Sequence, residues 1–313
     1  MRQVKFGVRL HQSGYSYESL REIWTEADRL GYYSATLYDL INAPALECWT
    51  TLSALADATQ RIRLTPLVLA NTYRHPALLA KMAATLDVIS GGRLELGLGA
   101  GGGRGDHQAS GIPFPPTRVR VAMLEEAIQL ITRLWAEPQV DFQGSFYQLR
   151  GATLDPKPKQ PRPPLLIGGH GETHMLRAVA KYADICNIGF EMNPEEYQAK
   201  LRVLAEYCRE AGRDFSEIEV THNTRVLVAR TEAELEAQIT CQAARSYQGP
   251  EAYRASLSRA IAGTPEQCVD QISQLVARGI AYFFLLFPEP VSVDDLRLFA
   301  EQVMPHFHSG VNN

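Results

Sequence analysis

The chain has 313 residues, with 31 lysines and arginines against 35 aspartates and glutamates and a formal charge of −4. That balance offers no basic face for a nucleic-acid partner. Apolar runs such as Ile280 to Phe287 fall far short of the ~20 residues that span a membrane. The first ten residues mix charge with apolar side chains and do not read as a signal peptide. Five scattered cysteines (Cys48, Cys186, Cys208, Cys241, Cys268) show no CxxC spacing, so they read as reduced cytoplasmic thiols, mostly buried, with no zinc site.

Strand-like and helix-like segments alternate along the chain. Val4 to Leu10 is a short apolar run suited to a buried strand, and Leu20, Ile23, Trp24, Ala27 and Leu30 keep helical spacing up to Gly31. Ser34 to Tyr38 is the next strand, Cys48 to Ala58 a helix, and Ile62 to Leu69 a third strand. Pro76 to Ile89 follows as a helix opened by proline and closed by Gly91 and Gly92. Arg93 to Leu98 is a fourth strand, followed by a Gly/Pro-rich stretch, 99–118, too long for an ordinary connection. After a helix from about Val121 to Trp135, residues 140–149 suggest a small hairpin and 155–164 a proline-rich crossing.

Leu165 to Ile167, Asp184 to Ile188, Ile218 to Val228 and Tyr282 to Phe287 supply four more strands, interleaved with helices near 173–182, 195–211, 265–278 and 293–305. Thr231 to Ala262 is an extra, mostly helical insertion. Eight strands, each trailed by a helix, predict one (β/α)8 barrel domain over 1–313, an α/β fold with insertions after strands 4 and 7. A dinucleotide fold would need a glycine fingerprint after the first strand, where the chain reads His11-Gln12-Ser13-Gly14-Tyr15 instead.

Barrel enzymes work at the C-terminal strand ends, so polar residues there are the candidates. The strands end in His11 and Gln12, in Asp39, in Leu69 to Thr72, in the run Gly97 to His107, in Gly168 to Gly171, at Asn187 and near Asn223. Gly168-Gly169-His170-Gly171 follows a strand and precedes a helix, so it reads either as a phosphate cradle of backbone amides or as a plain tight turn. His170 and His174 join that cradle or merely sit on the surface. The Gly99–Gly105 loop, with Gly101 at its centre, either admits a planar ring against backbone or forms a lid. Asp39 closes an apolar strand and must find donors there, as a cofactor ligand or as the partner of a backbone amide.

The run from Tyr73 to Gly101, YRHPALLAKMAATLDVISGGRLELGLGAG, closely resembles the signature of bacterial-luciferase-like oxidoreductases, above all their deazaflavin (coenzyme F-420) branch. Gly111 to Pro116, Leu124 to Ala127, Leu134-Trp135, Pro156 to Pro158, Leu166 to Gly171 and Tyr182 to Asp184 with Asn187 continue the likeness. It is collinear from about residue 4 to 190 and resumes at Gly263 to Glu266. The resemblance implies a flavin-type ring in the barrel mouth, its phosphate near Gly168, Gly169, His170 and Gly171. It implies a non-proline cis peptide near Leu67–Val68, with Val68, Leu69 and Ala70 lining the ring. It also implies hydride transfer to or from a small organic substrate, and a homodimer built partly from the helices at 48–58 and 76–89, through Leu52, Leu55, Leu78, Leu79, Met82 and Leu86.

Two departures stand out. Where deazaflavin enzymes usually read Asp-His, this chain has Asp39-Leu40, and an aromatic position after the glycine run is Gly102. The usual acid/base imidazole is therefore absent, leaving His11, with Asp39 beside it, as the first catalytic candidate and His107 or Asp106 as substitutes. An FMN-dependent monooxygenase and a non-catalytic flavin-binding barrel are the alternatives.

Overall fold

The computed structural model describes residues 3–169 and 171–308. In chain order the elements are β1 (Lys5–Arg9), α1 (Tyr17–Leu30), β2 (Ser34–Leu37), α2 (Cys48–Ala58), β3 (Arg63–Pro66), β4 (Leu69–Ala70), α3 (Pro76–Ile89) and β5 (Leu96–Gly99). Then come α4 (Arg104–Ala109), α5 (Thr117–Ala136), β6 (Val140–Gln143), β7 (Gln148–Ala152), β8 (Leu165–Gly168), α6 (Met175–Tyr182), β9 (Ile185–Asn187) and α7 (Pro194–Glu210). The last third holds β10 (Glu219–Val228), α8 (Glu232–Arg245), α9 (Pro250–Ser256), β11 (Ile261–Gly263), α10 (Pro265–Ala277), β12 (Tyr282–Leu286), α11 (Val293–Gln302) and α12 (Pro305–His308).

The helices follow their sequence signals closely. In α1 the Ser16 hydroxyl accepts from the Ser19 amide, Gly31 closes the helix at φ 84°, and Leu20, Ile23, Trp24 and Ala27 form the buried face. Pro76 opens α3 at a position where a missing N–H costs nothing.

All main strands pair in parallel, in the order β3-β2-β1-β12-β10-β9-β8-β5-β4. Because β3 and β4 are successive pieces of one run, split at the cis peptide Leu67–Val68, the two ends of that order meet. The seam is sewn by Leu64 N–H to Arg93 O at 3.0 Å and Glu95 N–H to Leu64 O at 3.1 Å. The result is the expected eight-stave barrel, whose third stave is bent rather than continuous.

Both insertions fall where the sequence puts them. Between the fourth and fifth staves come α4, α5 and the antiparallel β6–β7 hairpin. The stretch 99–118 is not wholly loop, since α4 forms within it. After the seventh stave, β10 outgrows the barrel and its tip pairs with β11. There α8 and α9 enclose a second small core of Leu227, Leu235, Ile239, Ala243, Tyr253 and Leu257.

Strand register sorts side chains into two sets. Outward residues such as Leu69, Leu96, Leu98 and Phe283 join the large core against the helices. Inward residues are mixed. At the N-terminal end, buried Glu95 accepts from the hydroxyls of Thr65 at 2.8 Å and Tyr282 at 2.9 Å, and pairs with Arg63 at 3.1 Å. In the middle, Leu67, Leu166, Ile185, Tyr282 and Phe284 fill the bore, with Val68 packed on them. The bore is therefore plugged at mid-height, which separates the polar N-terminal end around Glu95 from the C-terminal strand ends.

Gly97 shows how tight that closure is, because a Cβ there would lie 1.9 Å from the Pro66 carbonyl oxygen. Gly97→Ala is expected to destabilise the barrel by about 3 kcal/mol or more, since backbone cannot step aside. Gly102→Ala, which meets nothing within 4 Å, should melt like the parent in the same thermal scan; equal melting of both variants would refute this account of the seam.

Candidate functional site

The mouth is built from the strand ends that the barrel aligns. Asp39 follows β2, and its side chain is 3% exposed. Its Oδ2 accepts from the Ala70 amide at 2.8 Å and from Arg74 Nη1 at 2.8 Å, and its Oδ1 accepts from Arg74 Nη2 at 2.8 Å. Of the two readings open for Asp39, the geometry places it on a backbone amide, with a two-pronged arginine closing the remaining lone pairs. Arg74 continues to Glu47 at 2.8 Å, and Glu47 in turn caps α2 through the amides of Trp49 and Thr50. Burial alone would raise the Glu47 pKa, but those two amides and Arg74 outweigh it and hold the carboxyl below its ordinary value.

The residues expected to line a ring separate by strand parity. Val68 turns inward, and a Cβ on Gly99 or Gly168 would come within 2.8 or 2.9 Å of its methyl groups. Leu69 turns outward and is fully buried in the outer core, so only its backbone can face the mouth. Ala70 is half-buried beside it, anchored by Asp39. Gly101, at φ 88°, leaves room that the Thr72 hydroxyl takes, since a Cβ would approach it to 2.5 Å.

At the end of β8, Gly169 has φ 147° and donates its N–H to Asn187 O at 3.1 Å. A Cβ on Gly171 would meet nothing nearer than 3.9 Å, so the space over that backbone is open. Next, α6 starts without a side-chain cap, which leaves its first turn suited to an anion. His170, assigned to the same cradle, lies outside the described residues. His174 precedes α6 and makes no capping bond.

Of the histidines considered as proton carriers, His107 is fully buried and engaged at both ring nitrogens, with Thr72 Oγ1 at 2.7 Å and Gly103 O at 2.9 Å. Tyr73 and Phe114 pack on its ring. It staples the 101–107 loop and cannot serve as the substitute acid, a correction to the sequence reading. Asp106 sits in the first turn of α4, folded toward Gly103 rather than across the barrel.

His11 stays at the rim, half-buried, its ring 4.9 Å from that of Tyr38. Burial, then the nearby Arg9 charge, lower its pKa, so the imidazole is neutral at neutral pH. Its amide donates to Glu289 at 3.3 Å, and burial raises the Glu289 carboxyl above its ordinary value.

Arg9 and Tyr38 were not singled out from the sequence. Arg9 ends β1 on an inward position and reaches Phe190, beyond β9 and three staves away, at 4.4 Å. The only signal was a lone charge at the end of an apolar strand, and register alone tells which way it points. Opposite Arg9 on β2 stands Thr36. Arg9 Nη1 and Thr36 Oγ1 are both buried without a hydrogen-bond partner among the described residues, an expensive state that an incoming polar group would relieve. Deeper polar residues, Asn187, Thr221 and Asn223, bond one another across β9 and β10 at 2.9 and 3.2 Å. The open glycine backbone, uncapped helix start and orphaned polar atoms fit a large, flat, phosphate-bearing ligand. Among the described residues there is no metal-binding cluster.

Comparisons with known proteins agree with this layout. A family model described as luciferase-like monooxygenase matches residues 2–282. An F420-dependent glucose-6-phosphate dehydrogenase of Kineococcus radiotolerans is 33% identical over 229 residues, covering 70% of this chain and 66% of that protein. Its counterpart in Microbacterium testaceum is 27% identical over 332 residues, covering 96% of this chain and 97% of that one. In fold, the chain superposes on the coenzyme F420 dependent tetrahydromethanopterin reductase of Methanopyrus kandleri with a TM-score of 0.80 at 22% identity, covering 98% and 100% of the two chains.

Removing the Asp39 charge while keeping its shape tests the brace. Asp39→Asn should cost about 2 kcal/mol in denaturant unfolding, because it breaks the two-pronged contact and leaves Arg74 only its bond to Glu47. A variant of undiminished stability would show that Asp39 is not structural and return it to the role of ligand.

Proposed function

Because the chain belongs to the luciferase-like monooxygenase family, we propose that it is a single-domain oxidoreductase that binds a deazaflavin in the barrel mouth and passes a hydride between that cofactor and a small organic substrate. The observation that carries the reading is the mouth itself, floored by inward Val68 and walled by the open Gly171 backbone ahead of an uncapped helix. When bound, the deazaflavin supplies the two-electron chemistry.

The chain supplies position and charge. Val68 and Ala70, with the Leu69 backbone, floor the ring; Gly101 borders it. Gly168, Gly169 and Gly171 close on the phosphate; His170 is assigned to it by the family resemblance alone. Asp39 acts through Ala70, fixing the floor from behind. His11 stands as the neutral imidazole nearest the opening. Phe284, Tyr282 and the rest of the bore keep water from entering below. All five cysteines are free, four of them buried, which supports a place in the reducing cytoplasm; separately, the described residues contain no helix long and apolar enough to cross a membrane.

Calorimetric titration with deazaflavin and with FMN tests this. One deazaflavin per chain, bound more tightly than FMN, is expected; absence of deazaflavin binding overturns the reading, and preference for FMN replaces it with the monooxygenase alternative. Gly171→Val should weaken binding at least about tenfold with unchanged melting, because the added methyls fill space needed for close backbone approach. It is a cleaner probe than Gly169, whose φ of 147° already excludes a side chain.

A homodimer is proposed through α3, but not through all the residues the sequence suggested. Leu52, Leu55, Leu79 and Leu86 are buried in the protomer's own core. Leu78, Val88 and Ile89 are exposed, at 57%, 43% and 55%, and with partly buried Met82 they line one side of the helix. Val88→Glu with Ile89→Lys should yield monomers in light scattering at micromolar concentration; a parent chain already monomeric there would overturn the proposal.

A further inference from the structure

The chain lacks an imidazole at position 40, yet a carbonyl or alcohol exchanging a hydride must also exchange a proton. Tyr38 lies two residues before Leu40, and its main chain is clamped on both sides by fully buried Gln12. Gln12 Nε2 donates to Tyr38 O at 2.6 Å, and Gln12 Oε1 accepts from Tyr38 N at 3.0 Å. The phenol oxygen accepts a short bond from Arg9 Nε, 2.6 Å. Its own proton has no acceptor among the described residues, and Arg9 Nη1 is likewise without one. Two linked donors therefore stand at the mouth with nothing to donate to. The His11 ring packs on the Tyr38 ring from the rim side, and Phe190 covers Arg9 from the far side.

We propose that Tyr38 and Arg9 together form the oxygen-handling pair of the active site, Arg9 holding the substrate oxygen and Tyr38 exchanging its proton. This rests on the hydride-transfer reading above. In the reducing direction the substrate carbon takes a hydride from reduced deazaflavin, which is thereby oxidised, as the C=O π bond breaks. The substrate oxygen takes the Tyr38 phenol proton, the new O–H bond forming as the phenolic one breaks. The phenolate left behind is held by the Arg9 Nε–H until water at the rim returns a proton. Oxidation of an alcohol reverses each transfer. The substrate class is a small ketone, aldehyde or secondary alcohol whose oxygen points at β1 and β2.

Arginine suits the holding role because it keeps its charge at any working pH. It also shapes the phenol. Burial raises the Tyr38 pKa, Arg9 opposes that through its charge and its hydrogen bond, and Glu289 adds to the rise. The groups facing Tyr38 are Arg9 on β1, His11 beyond it and Glu289 after β12, with the Asp39–Arg74 pair adjacent in the chain.

Two measurements test the pair. The first needs neither cofactor nor substrate: NMR of the cofactor-free chain with isotope-labelled tyrosine, the Tyr38 signal assigned by its loss in Tyr38→Phe. Arg9→Gln is expected to shift the Tyr38 ionisation to higher pH, and an unmoved midpoint overturns the coupling and the proposal with it. The second follows oxidation of reduced deazaflavin by acetone and by short aldehydes. Tyr38→Phe should bind cofactor as the parent does but lose about 10²–10⁴-fold in turnover, together with the alkaline limb of the parent's pH profile. Arg9→Lys should keep part of the rate that Arg9→Gln loses.

Parent-like turnover and pH profile in Tyr38→Phe overturn the proposal, as does loss of the limb in His11→Ala alone, which assigns the proton to the imidazole. Failure of the parent to bind deazaflavin sinks the underlying reading instead, and calorimetry separates the two.

Discussion

One carboxylate holds the mouth together. Asp39 leaves the second stave and bonds the amide of Ala70 in the third, just beyond the bend at Leu67–Val68, while Arg74 locks its other side. A strand that bends gives up ladder bonds at the bend, and a buried amide freed in that way must find another acceptor. Asp39 is that acceptor. Its charge is matched by Arg74, and Arg74 passes the constraint on to Glu47 and so to the start of α2. The floor of the site, the loop after the third stave and the second helix are thus tied through three side chains. Acidification would loosen this tie from the Glu47 end: with its pKa held down by its amides, Glu47 contributes stability above the ordinary carboxylate range, which is lost as pH falls through its depressed pKa.

Glycine in the mouth has more than one cause, and separating the causes changes what the glycines say about function. Gly99 and Gly168 are small because inward Val68 occupies the space their side chains would need. Gly101 is small because of its positive φ and the Thr72 hydroxyl. These are demands made by the protein on itself. Gly171 is different, since neither a positive φ nor a neighbour within ordinary contact requires it. A glycine that the fold does not need is the better witness for an external ligand, so within Gly168–Gly171 the weight of the cofactor reading falls on Gly171, while Gly102 in the preceding loop is equally unconstrained.

Much of the fold was legible because its signals are local. Gly31 and Pro76 mark helix ends by chemistry that acts within a turn; α1 ends, and α2 and α3 begin and end, where the sequence puts them. The bent third stave and the helix inside 99–118 were missed from periodicity, since β3 and β4 read as one apolar run and α4 has only six residues. The site was less legible for a physical reason. Whether Val68 or Leu69 faces the bore depends on strand register, and register is set by partners far away in the chain. The same applies to Arg9: within Val4 to Leu10 it interrupts an apolar pattern, and only the pairing of Arg9 with Thr36 shows that it points inward. Apolar periodicity in α2 and α3 likewise could not tell a core leucine from an interface leucine. Leu79 and Leu78 are neighbours in sequence, and they differ from fully covered to more than half exposed.

The substitution at position 40 also changes the electrostatic character of the mouth. An imidazole there would add a group that changes charge near neutral pH. In its place the mouth has a fixed positive charge at Arg9, a phenol beside it and an imidazole at the rim. A fixed cation acts on these two in opposite senses: it favours the anionic form of the phenol and disfavours the cationic form of the imidazole. Both effects draw protons away from the rim toward water and leave Arg9 as the main cation facing the opening from β1. The site is therefore biased toward stabilising negative charge that develops on an incoming oxygen. Over the range in which His11 and Tyr38 both stay neutral, that bias is constant, where a histidine at position 40 would have made it depend on pH.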